Sequence, residues 1–416
     1  MLNHTWQMSH RTEVNSNVAY QFGKTGNSRI DYGGTRLFTG SNGENAFFGG
    51  GSNPDPAYYQ KLPSFFMRFE NNQNFQEAYL AQQEFQKNGQ IDWAGLYIAN
   101  QTLAETGGNA LYVLYEDRND DQQISGTVIV RSEINSHFTI NSAVRYKNLH
   151  SQNFANVLDL FGGNAYLDVD SFSEGSEAQN DLLNPNRLVR ENDIFKYHYN
   201  LSAMAVEGFG QVQFYYKNLD GYAAVDLSHT EYQRDGVFKN GNFPNNSLGA
   251  SEPVDFENYG GKIGLTYKLT GRHLFNVNTI YFTKPTSLRN TFSNSLQNND
   301  LVQGLGSEKI MAGDIGYIFR TPKIKGRITG FYGLFEDATE VSFYYADGLS
   351  GLGRDTTTAF VQEVLTGINK RHMGIETGVE AQVTQSIKLK MAASLGEYIY
   401  HNNPNLYLTS ERSLFA

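Results

Sequence analysis

Two acidic clusters in this 416-residue chain have the residue types from which metal chemistry is built. Asp117, Asn119 and Asp121 stand at the first, third and fifth positions of a calcium loop. Gln122, however, occupies the sixth position, where the turn needs glycine, and Val128 the twelfth, where a bidentate glutamate closes the shell. A solvated kink or bulge in an extended strand is therefore expected there. Asp168, Asp170 and Glu174 have the oxygen donors for a calcium ion completed by backbone carbonyls, and their other reading is solvated loop surface. The nine histidines, among them His150, His198, His229 and His372, show no HExxH or comparable metal spacing and read as strand or loop residues. No serine is framed as GxSxG, and no glycine-rich loop joins a strand to a helix. With no cysteine in the chain, thiolate metal sites and cysteine nucleophiles are excluded together. The residues thus point away from an enzyme and call for no cofactor. The remaining candidates are loop aromatics, Tyr58, Tyr59, Phe65, Phe66, Phe75, Tyr79, Phe85 and Trp93. Stacking surfaces of this kind suit peptides, glycans or chelates, and they equally serve to pack a compact loop against itself.

The elements that must position these residues are strands. In residues 372–396 every second residue is uncharged and mostly apolar (Met373, Ile375, Thr377, Val379, Ala381, then Leu389, Met391, Ala393, Leu395), while Glu376, Glu380, Lys388 and Lys390 fall on the other parity. That period of two defines a long hairpin. A turn centred on Gln385 sets Glu380 opposite Lys390, where unlike charges help fix register. Composition agrees: 26 Tyr, 28 Phe and 41 Gly against 9 Pro favour strands. A net charge of -10 argues against a phosphate-binding surface and hence against nucleic acid. There is no run of about 18 apolar residues, which excludes a transmembrane helix but leaves a barrel open, because barrel strands alternate.

Taken in order, the chain shows six such hairpins with short turns. They are joined by long connections at 25–109, 150–192, 235–256, 285–306 and 336–360, the first carrying a short helix over residues 73–87. Tight turns at one end, long loops at the other and one uncharged face are the pattern of an antiparallel transmembrane β-barrel with long extracellular loops. A sandwich has no reason to sort its loops by end, and its strands are usually about 5 to 6 residues. The uncharged face then meets lipid, and Glu376, Glu380, Lys388 and Lys390 line a lumen, because a charge on the lipid face costs roughly 2 to 4 kcal/mol near the midplane.

From residue 52 onward the stretches NPDPAYYQKLPSFF, YEDRNDD, residues 257–300, residues 307–348 and INKRHMGIETGVEAQV, in this order, resemble the barrel of TonB-dependent outer-membrane receptors, specifically the large type in which a carboxypeptidase-like regulatory domain precedes the plug. The resemblance implies a 22-stranded barrel around a plug, in the outer membrane of a Gram-negative bacterium, importing a ligand too scarce or too large for porins: a siderophore, a peptide or a glycan. It implies as partners outer-membrane lipid, the receptor's own plug, the TonB–ExbB–ExbD complex and, in some members, a surface lipoprotein. This chain departs from the pattern in showing about twelve strands, no plug domain and no TonB-contacting box, so an internal fragment of a longer receptor is expected. Residues 1–14 also lack the features of a secretory signal. The competing readings are a passive porin-like channel of fewer strands and a secreted β-rich binding or adhesion protein.

Overall fold

A computed structural model describes residues 1–32, 36–39, 45–48, 58–69, 71–89, 91–170, 173, 175–347 and 358–410. Twelve long strands follow one another in a single antiparallel meander: β1 (Leu2–Ser9), β2 (Thr12–Tyr32), β3 (Tyr112–Glu133), β4 (Phe138–Asp159), β5 (Ile194–Tyr216), β6 (Leu219–Gly236), β7 (Val254–Lys268), β8 (His273–Lys284), β9 (Glu308–Arg320), β10 (Ile324–Asp347), β11 (Thr358–Gln382) and β12 (Lys388–Tyr400). Each pairs with its neighbours in sequence, and Asn405–Ser410 continues past β12 along the upper part of β11. The sheet order begins at β1 and ends at β12, and among the described residues the two do not pair. No helix here is long and apolar enough to cross a membrane.

The register sorts the side chains as the alternation requires, since directly opposed residues share a face. One row across the sheet runs Leu265, Val277, Ile315, Gly330, Ile375 and Leu395; the adjacent row, on the opposite face, runs Thr266, Asn276, Gly316, Thr329, Glu376 and Ser394. Glu380 lies opposite Lys390, and its carboxylate stands 3.0 Å from the Lys388 ammonium and 3.8 Å from that of Lys390. Gly221 faces Phe214 across the β5–β6 pair, and the ring lies where a side chain at 221 would sit.

The apolar face is bounded by two aromatic rows. Phe138, Phe214, Tyr267, Phe275, Tyr317 and Phe319 stand at the turn end, with Phe275 and Tyr317 stacked at 5.0 Å; Tyr146, Tyr259, Tyr281 and Tyr332 stand at the loop end. From Phe275 to Tyr281 the strand climbs about 20 Å. Between the rows the face is aliphatic, carries no formal charge and is open: Val225, Leu227, Ile263 and Ile315 are 60 to 66% exposed. The buried core lies elsewhere, under the loops, where Val113, Tyr115, Ala155, Val157, Leu160, Tyr166, Val189 and Phe195 pack together.

Several boundaries differ from the sequence expectation for one reason. Above the loop-side aromatics apolar side chains are also buried under the loops, so the two-residue alternation fades while the ladder continues: residues 25–32, 150–159 and 336–347 are strand. Residues 117–121 form no kink. β3 runs through them, the register shift lies at Leu114/Tyr115, and the charges are matched locally, with Arg118 on Asp120 at 2.7 Å and Arg29 on Asp117 at 3.0 Å. The helix expected over 73–87 is α1 (Phe75–Asn88), capped by Asn74. A second helix, α2 (Trp93–Glu105), is capped by Asp92 and was hidden because WAGLYIANQTLAE is apolar on nearly all sides.

Candidate functional site

The chemistry-bearing residues gather at the loop end of the sheet, and three polar anchors hold the loops there. The first is Asn100 on α2, fully buried. Its Nδ2 donates to the carbonyls of Tyr112 (2.8 Å) and Leu160 (2.6 Å), and its Oδ1 accepts from the amides of Leu111 (2.8 Å) and Tyr112 (3.1 Å). One amide therefore fastens α2 to the ends of β3 and β4. Beside it Trp93 and Tyr97 pack on Phe161 at 6.0 and 5.4 Å, and the Tyr97 hydroxyl donates to Asp159 at 3.0 Å.

The second anchor joins Asp168 to Lys196. The Asp168 carboxylate is almost fully buried and accepts from Asn180 Nδ2 (2.7 Å), Arg187 Nη2 (2.7 Å) and the Lys196 amide (2.9 Å). Three of its lone-pair positions are thus taken by protein donors, a structural use. Asp170 accepts from the Ser173 hydroxyl at 3.0 Å, and Glu174 lies outside the described residues. Lys196 takes a positive φ of 60° and turns its ammonium to Asp31 and over the Tyr115 ring, 4.4 Å from its centroid. Burial alone would lower its pKa, yet Asp31, Tyr115 and Tyr166 hold it above the ordinary lysine range.

The third anchor is Arg234 near the end of β6, 2% exposed. Its Nε donates to the Ser295 carbonyl (2.7 Å), and its Nη1 to the Ser247 carbonyl (3.1 Å) and Asn299 Oδ1 (2.5 Å). Burial lowers the guanidinium pKa to about 10, with Tyr199 and Asp235 opposing the shift. Through it, loops 237–253 and 285–307 are knitted to each other, and Asn290 ties the second to the Thr339 carbonyl of β10 at 2.7 Å. In Arg234→Met the three acceptors lose their donor, at about 1 to 3 kcal/mol per buried unsatisfied group. Limited proteolysis is expected to cut both loops of this variant faster while β7 and β8 stay protected.

The loop aromatics do not converge on one point. Phe65 and Phe66 meet edge to face at 5.5 Å, with the Arg68 guanidinium 3.5 Å above the Phe65 ring. Phe75 and Tyr79 stand out from α1, 66% and 61% exposed, and Phe85 is exposed as well. Trp93, the first residue of α2, touches Phe161 and stays half exposed. Tyr58 and Tyr59 fall on a single turn, Tyr58–Lys61, and their side chains lie outside the described residues. An open cleft of about 570 Å³ runs between that turn and α1, lined by Gln60, Lys61, Phe66, Leu80, Glu84 and Lys87. At the sheet itself Glu376, Glu380, Lys388 and Lys390 share the polar face. Sequence reading missed Asn100, Lys196 and Arg234 because each acts through partners brought together only by the fold.

No family model matches the chain, and no curated protein does. Among solved structures it is similar to a copper transporter (14% identity, TM-score 0.48, covering 68% of this chain and 38% of that one). It is also similar to the ferric yersiniabactin uptake receptor of Yersinia pestis (8% identity, TM-score 0.47, 96% and 42%) and to a ferric citrate transporter in unliganded form (11% identity, TM-score 0.46, 95% and 41%). The chain spans about two fifths of the length of each of these.

Proposed function

We propose that the chain is part of the wall of a TonB-dependent outer-membrane receptor that takes up a scarce or large ligand at the expense of energy supplied from the inner membrane. The observation that carries this reading is the two-faced meander. A charge-free aliphatic band between two aromatic rows fits lipid, the polar face fits a water-filled or plugged interior, and every long connection lies at one end. On this reading Glu376, Glu380, Lys388 and Lys390 line the lumen. The exposed aromatics Phe75 and Tyr79, with the Phe65–Phe66 pair beside them, supply stacking surface for a siderophore, peptide or glycan. The plug and the TonB–ExbB–ExbD complex act through parts of the receptor that precede this wall, and a surface lipoprotein is a further partner where the ligand is large.

The test compares ligand entry into cells that carry the protein with entry into a deletion strain, each with and without a protonophore. Entry that needs the protein and stops with the protonophore supports the reading. Protein-dependent entry that persists would establish a passive channel instead.

A further inference from the structure

On the apolar face, just above the loop-side aromatic row, the alternation breaks in a way that neither lipid nor folding requires. His229 and Glu231 of β6 lie directly opposite Glu257 and Asp255 of β7, so that one imidazole and three carboxylates occupy two adjacent cross-strand pairs on one face. Glu231 and Asp255 are a like-charge pair set face to face, an arrangement that costs stability. Among the described residues no lysine or arginine is paired with any of the three carboxylates, and on the β5 side their neighbours are Val206 and Met204. Among the described residues the one basic side chain paired with them is His229.

The imidazole is set up to hold a cation. His229 Nδ1 lies 2.7 Å from Glu257 Oε1; a carboxylate only accepts, so Nδ1 is the donor, and in the neutral imidazole the lone pair is then on Nε2. Nε2 points at Asp255, 3.8 Å away, and one donor atom from each of His229, Glu231 and Asp255 lies within 4.8 Å of the others. A carboxylate behind a histidine is the usual support of a metal-bound imidazole. Ligand atoms around a tetrahedral ion stand about 3.3 Å apart, which small rotations of these partly exposed side chains supply. One nitrogen with two carboxylates, and further positions open to solvent, suits a borderline divalent transition metal over calcium or magnesium.

We infer that His229 Nε2, Glu231 and Asp255 form a divalent transition-metal site, with Glu257 orienting the imidazole, and that the bound ion clamps β6 to β7 at the foot of the loops. The inference rests on strand register and side-chain distances and stands or falls separately from the transport reading. The test titrates the full chain, refolded in detergent, with Zn²⁺ by calorimetry, with Ca²⁺ as control. One equivalent of Zn²⁺ is expected to bind and Ca²⁺ far less well. His229→Ala and Asp255→Asn should each weaken binding at least about 10-fold, and Glu257→Gln, acting only through the imidazole, about 10-fold as well. His401→Ala should leave binding unchanged. Unfolding midpoints without metal, unaltered in these surface variants, separate lost ligation from lost structure. Absence of Zn²⁺ binding, binding that survives His229→Ala and Asp255→Asn, or equal affinity for Ca²⁺ would each overturn the site.

Discussion

Ile263→Arg is expected to destabilise the membrane-inserted protein by about 2 to 4 kcal/mol, and Thr266→Arg, three residues along the same strand, to change little. The two positions sit on opposite faces of β7: Ile263 opposes Ala223 and Thr279, and Thr266 opposes Asp220 and Asn276. Ile263 lies midway between Tyr259 and Tyr267, at the centre of the aliphatic band, and is 60% exposed. In water an exposed isoleucine is replaced by arginine at little cost, usually within about 0.5 kcal/mol. In lipid the guanidinium has no partner and no solvent. Urea titrations in phospholipid vesicles, followed by circular dichroism, measure the difference. Equal stability of the two variants would mean that both faces meet water.

Asn100→Ala is expected to release α2 from the sheet. The substitution deletes an amide that makes four hydrogen bonds: the half-buried Leu111 and Tyr112 N–H groups and the Tyr112 carbonyl lose that partner, while the Leu160 carbonyl keeps the Gly163 N–H. Each such group costs about 1 to 3 kcal/mol when it cannot find water. Local opening relieves that cost, so the change should appear as lost local stability and not as global unfolding. A local loss of about 3 kcal/mol corresponds to roughly 100-fold faster exchange or cleavage. Hydrogen exchange should therefore accelerate in α2 and at the start of β3, with β7 to β10 as at present. Uniform acceleration across the sheet would show that α2 belongs to the same cooperative unit as the wall.

Both expectations show where sequence and structure part company. The hairpins were legible because one apolar and one polar face impose a strict alternation: Ile375, Val379, Leu389 and Met391 against Glu376, Glu380, Lys388 and Lys390. Even the facing of Glu380 and Lys390 followed from the turn. Strand ends were not legible, because at the loop end apolar residues such as Val113, Ala155 and Val157 pack under the loops and the two-residue pattern dissolves while hydrogen bonding continues. The anchors were invisible for another reason. An asparagine in a helix, a lysine after a loop and an arginine near a strand end look unremarkable until the fold sets Asn100 against Leu160, Lys196 against Asp31 and Arg234 against Ser295. The His229 cluster is an intermediate case. Its halves, His-x-Glu and Asp-x-Glu, each show the period of a strand, but only the register of β6 on β7 brings them together.

The central claim is that one face of the meander meets lipid and the other does not. The most direct measurement places nitroxide labels singly at residues 262 to 267 of β7 in phospholipid vesicles and compares collision with oxygen, which partitions into lipid, against collision with a water-soluble nickel chelate. Positions 263, 265 and 267 should favour oxygen, and 262, 264 and 266 should be shielded from it, in strict alternation. Ready access of the nickel chelate to 263 and 265 would contradict the account and return the sheet to water.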